Sequence, residues 1–183
     1  MSKYLLFFLV FIVVACSGKR EDNYTKTIDS LVLVLDSTKS IFLKIDFEKA
    51  KKVEVKVEDD ILKIRSFLGI KDQEKHNALI ENYSQAGRFE LSETDSANIP
   101  NSDPQQMLVK QFEYSFNQLK NLKHDYLSNK IEEKKYIEYL NTEKNAIDKL
   151  REYITKKNEY YTRNFFLVDS LTPQINEIIE KSK

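Results

Sequence analysis

Apolar side chains recur along this chain at intervals built from three and four residues, the period of one helix face. In a first region Ile28, Leu31, Leu35, Phe42, Ile45, Val53, Val57, Ile61, Ile64 and Leu68 fall in one seam, weakened at Thr38 and Lys49. The run from Leu31 to Leu35 is continuously apolar, which predicts burial on several sides rather than along a narrow stripe. Val53-Glu54-Val55-Lys56-Val57 also alternates as a strand would, but no turn residues flank it, so helix is the expectation.

A short helix is predicted over residues 72–83 with Leu79, Ile80 and Tyr83 as anchors and Gly87 as a stop. The polar stretch from Ser92 to Pro104 has the composition of an exposed loop, and a mobile segment is expected at about 84–104. A second helical region opens near Pro104, with Asp103 as its cap and Leu108, Phe112, Leu119, Leu122 and Tyr126 on its seam. Tyr136, Leu140, Ile147, Leu150, Ile154, Tyr161, Val168 and Leu171 form another seam. Ser128-Asn129-Lys130 lies between them and can turn the chain, because asparagine tolerates a left-handed backbone.

The heptad phase passes through that turn unshifted, so pattern alone leaves one helix of about 68 residues as the alternative, roughly 100 Å long. A finite core favours the hairpin. Tyr139, Ala146, Tyr153, Tyr160 and Leu167 run beside the second seam, and two adjacent columns imply contact with more than one helix. Thr172-Pro173 reads as the start of a short terminal helix carrying Ile175, Ile178 and Ile179. The expected fold is an all-α antiparallel helical bundle with long coiled-coil-like helices and a short C-terminal helix. It would form one domain over 24–183.

Composition sharpens this. Only 3 glycines and 3 prolines occur in 183 residues, and 19–68 and 105–172 contain neither, which long helices tolerate and a β-meander would not. The 29 basic and 29 acidic side chains cancel, so the chain lacks the basic excess that phosphate neutralisation requires, and no nucleic-acid partner is expected.

Tyr4 to Ala15 form an apolar run behind Lys3, too short to span a bilayer at roughly 20 residues but matched to the core of a secretory signal peptide. The run ends at Cys16, the only cysteine. Val13-Val14-Ala15-Cys16 resembles the lipobox of bacterial lipoproteins, which implies a signal peptide over 1–15, a lipidated Cys16 and a polar tether over 16–23. Ser17 looks like the outer-membrane-retained class. Lys19 to Asp22 looks like the surface-export signal of Bacteroidetes lipoproteins, interrupted by Arg20, so the periplasmic or surface-facing side stays open.

Beyond the tether, Tyr24-Thr25-Lys26-Thr27-Ile28-Asp29-Ser30-Leu31 and Gln118-Leu119-Lys120-Asn121-Leu122-Lys123-His124-Asp125 resemble a group of helical lipoproteins of the Bacteroidetes phylum. The resemblance implies an envelope location and a helical domain. It brings no catalytic residues.

No constellation for chemistry emerges. His76 and His124 lie in separate predicted helices without a partner at metal-ligand spacing, and the acidic neighbours Glu58-Asp59-Asp60 and Glu132-Glu133 point to different helix faces. No glycine loop or nucleophile elbow is present, so no enzyme, cofactor or metal is expected. Tyr160, Tyr161, Arg163, Phe165 and Phe166 form the densest aromatic group, which reads as core packing or, if exposed, as a partner-binding patch. Asp95-Ser96-Ala97 resembles the O-glycosylation sequon of the same phylum, with Ser96 as acceptor. The expected function is a lipid-anchored, non-catalytic envelope scaffold or binding module with a protein partner. The alternative is a protective, immunity-type lipoprotein that blocks a toxin or hydrolase.

Overall fold

A computed structural model describes residues 23–89 and 104–182. It is an all-α protein, with no strand among the described residues. The helices are α1 (Asn23–Phe42), α2 (Phe47–Phe67), α3 (Ile70–Ala86), α4 (Pro104–Leu127) and α5 (Glu133–Lys181). These residues gather into two compact units, one of 23–35 with 108–148 and the other of 36–89 and 104–107 with 149–182.

In the first unit, Ile28, Leu31 and Leu35 of α1, Phe112, Leu119, Leu122 and Tyr126 of α4, and Tyr136, Leu140 and Ile147 of α5 are all buried. Tyr24 meets the rings of Tyr126 and Tyr136 edge-on at 6.0 and 5.7 Å, while Tyr126 and Tyr136 stack at 4.2 Å. Tyr136 Oη donates to the Tyr24 carbonyl, and Lys123 Nζ reaches Asp29 at 2.6 Å. α1 therefore runs antiparallel to α4.

The hairpin between α4 and α5 forms at the expected place. Lys130 N donates to the Asp125 carbonyl at 2.8 Å and Asn129 N to the Tyr126 carbonyl at 3.1 Å. Asn129 adopts a left-handed φ of 53°. These are the two bonds of a Schellman ending, which satisfies the last carbonyls of α4 while reversing the chain.

The second unit departs from the sequence expectation in three places. The single first seam is broken at residues 43–46, so α1 and α2 are separate helices. Asp46 caps α2 by accepting from Lys49 N at 2.8 Å, and Ile45 and Ala50 share one apolar cluster across the cap, a hydrophobic staple. Phe42, Ile45 and Phe47 keep facing inward around the corner, which is why the apolar spacing does not register it.

The segment expected to loosen from residue 84 instead stays packed through Phe89, because Ala86 and Phe89 are buried. A Cβ on Gly87 would lie 2.6 Å from Val57 Cγ1, so the glycine is required by the close approach of α2 and α3.

The terminal segment is helical as expected, yet it is not a separate helix: α5 continues through Pro173 to Lys181. Pro173 has no N–H for the Asp169 carbonyl, and Asp169 is exposed, so water can take the missing donor's place. Thr172 Oγ1 donates to the Val168 carbonyl beside it. Ile61, Ile64, Ile80, Tyr83, Val168, Ile175 and Ile179 belong to the larger core of this unit.

Candidate functional site

Val13, Val14, Ala15, Cys16 and Ser96 lie outside the described residues. The aromatic group at 160–166 lies within them, and the helical period divides it. Tyr161 is buried, with ring contacts at 5.6 Å to Phe47 and 5.2 Å to Phe89. Phe165 is half-buried, 4.7 Å from Phe89, with the Lys49 ammonium 4.4 Å above it. Tyr160 Oη and Asn164 Nδ2 both donate to the Arg88 carbonyl, at 2.8 and 2.6 Å. Outward there remain Phe166, 72% exposed, and Arg163, whose guanidinium lies over the Tyr160 ring at 5.5 Å. The group is therefore a packed anchor with a two-residue outer face, not one continuous patch.

Lys157 belongs to the same cluster and was not singled out by sequence. It is 7% exposed, donates to Tyr153 Oη at 3.2 Å, and sits 5.5 to 5.9 Å from the rings of Phe47, Tyr153 and Tyr161. Three aromatic rings thus surround its charge.

A cleft of about 340 Å³ opens within the first unit between α4 and α5. From α4 it is lined by Tyr114, Gln118, Asn121 and Asp125, spaced by four, three and four residues and hence on one face. Tyr139, Thr142 and Glu143 line it from α5, with Leu122 and Ile131 as apolar surface. No basic side chain lines it. Tyr114 and Tyr139 are 55% and 51% exposed.

Of the polar groups in this cleft, Thr142 Oγ1 donates to the Glu138 carbonyl, and Asp125 stands 4.0 Å from Lys130 Nζ. Tyr114, Gln118, Asn121, Tyr139 and Glu143 have no side-chain partner among the described residues. Burial pushes the Glu143 carboxyl pKa up from its ordinary value, and no cation among the described residues offsets that. The stripe of aromatic and amide residues beside the α4 seam is the signal that sequence reading passed over.

A second cleft, of about 540 Å³, lies where Phe67, Leu68 and His76 face Gln174 and Ile178. Its charges are already matched internally, Lys75 with Asp72 and Lys181 with Glu177. Among the described residues no group of three or more histidine, cysteine, aspartate or glutamate side chains is placed to hold a metal ion. No described helix is long and apolar enough to cross a membrane.

No family model, no curated protein and no solved structure matches this chain.

Proposed function

We propose that this chain is a lipid-anchored, non-catalytic binding module of the bacterial outer envelope. The attachment rests on the apolar run that ends in Val13-Val14-Ala15-Cys16. The observation that carries the binding role is the α4–α5 cleft, where five polar side chains without partners among the described residues line a concave surface on two helices of one hairpin. Helices hold such groups more rigidly than loops do, as recognition requires. Arg163 and Phe166, three residues apart on α5, are the outward pair for a protein contact.

Membrane fractionation of the wild type and of Cys16→Ser, with mass spectrometry of the N-terminal peptide, tests the attachment. Acylated Cys16 and release of the serine variant are expected. Retention of the variant together with an unmodified Cys16 would sink the reading.

A further inference from the structure

We infer that the α4–α5 cleft binds a small organic cation, an alkylammonium group held between the carboxylate of Glu143 and the rings of Tyr114 and Tyr139. This inference rests on the binding-module reading and names the ligand class of its site. Charge selects the class. An anion would enter beside two carboxylates, Asp125 and Glu143, with no basic side chain in the lining. An ammonium instead meets a carboxylate that no cation among the described residues satisfies, and two exposed aromatic rings whose faces attract positive charge.

Size points the same way. About 340 Å³ is near the lower end of ligand pockets, enough for a headgroup or a single side chain. Gln118 and Asn121 carry amide groups free to bond the polar remainder of such a ligand, while Leu122 and Ile131 offer apolar surface to its methylenes. The burial that raises the Glu143 pKa would be offset by a bound cation, so part of the cost of holding that carboxylate is recovered on binding.

Calorimetric titration of the full chain in non-ionic detergent tests this with four probes. Choline and Nα-acetyl-lysine methylamide carry the ammonium, 3,3-dimethylbutanol is the neutral shape of choline, and glucose represents a neutral polyol. Saturable heat is expected with at least one ammonium probe. A tighter choline isotherm would identify a quaternary headgroup as the source, and a tighter lysine isotherm a peptide side chain. Glu143→Gln is expected to weaken the bound probe about tenfold or more, as for loss of a charged hydrogen-bond partner. Tyr139→Leu is expected to weaken it about fivefold.

Val55→Ala, at an exposed position of α2 in the other unit, should leave the isotherm unchanged. Equal binding of 3,3-dimethylbutanol, binding of glucose alone, or no heat from either ammonium probe would each overturn the inference. Because the first comparison uses wild-type protein, a variant that fails to fold cannot obscure the result. Failure here leaves the fractionation result of Cys16→Ser standing, so the two readings fail separately.

Discussion

Tyr83 donates its hydroxyl to Asp60 Oδ2 at 3.0 Å, joining α3 to α2 inside the core of the second unit. The tyrosine is fully enclosed and the aspartate is 6% exposed. Lys56 Nζ reaches the same oxygen at 2.6 Å and the tyrosine hydroxyl at 3.3 Å, and Thr172 Oγ1 lies 3.4 Å from that hydroxyl. A carboxylate this deep is tolerated only because two donors satisfy it.

Tyr83→Phe should therefore cost about 1 to 3 kcal/mol, since it leaves the buried carboxylate short of a donor without changing the ring. Urea melts at neutral pH measure this. Thr172→Val should cost less, because its contact is longer and it keeps no charge satisfied.

The same network predicts an alkaline limb. Desolvation lowers the Lys56 pKa, but the hydrogen bonds from Lys56 to Asp60 and Tyr83 and the attraction of those groups together outweigh it and hold the value above the ordinary 10.5. A raised lysine pKa means the folded state binds the proton more tightly. Its stabilisation is complete below 10.5 and is lost as pH climbs through the higher folded value. Thermal melts across that range should fall more steeply for wild type than for Lys56→Met.

Ser115 points the other way. Its Oγ is buried without a hydrogen-bond partner among the described residues. Ser115→Ala should raise stability by about 1 kcal/mol, because it deletes an unsatisfied hydroxyl and leaves almost no cavity. A lowered denaturation midpoint would show that the hydroxyl has a partner after all.

Gly87→Ala tests the close approach of α2 and α3. The added methyl would lie 2.6 to 2.9 Å from three side-chain atoms of Val57, and overpacking of this kind costs about 1 to 3 kcal/mol. In a double-mutant cycle Val57→Ala should recover part of that loss, giving a coupling of about 0.5 kcal/mol or more. Additive losses would mean the two helices can separate without cost.

The divided aromatic group yields a paired expectation. Tyr161→Ala should cost about 3 to 5 kcal/mol, as for other buried aromatics. Phe166→Ala should fall within about 0.5 kcal/mol, as surface substitutions do. Equal losses in the two melts would contradict the division.

The seams of α4 and α5 were legible because their buried positions, from Phe112 to Tyr126 and from Tyr136 to Val168, follow the helical period closely. Asn129 was legible because the turn needs a left-handed residue and asparagine accepts that conformation at little cost. The corner at 43–46 was not, since Ile45 remains buried while the backbone changes direction. Only Asp46 betrays it, as a cap that the apolar pattern does not weigh. The α4–α5 cleft escaped for a different reason. Its residues are polar or exposed and lie off the seam, so hydrophobic spacing carries no information about them. Within 160–166, spacing alone predicts which residues face inward only once the neighbouring helices are known.

The Arg88 carbonyl, held at once by Tyr160 and Asn164, fastens the end of the α3 segment to α5 across 72 and 76 positions of sequence. That fastening does not depend on the covalent path from residue 90 to residue 103. Supplied as separate polypeptides, 23–89 and 104–183 would still present each other with the Arg88 clasp, the Phe89 ring contacts and the Tyr83–Thr172 pairing. Complementation between these two fragments would therefore read out how strongly those contacts hold the core together.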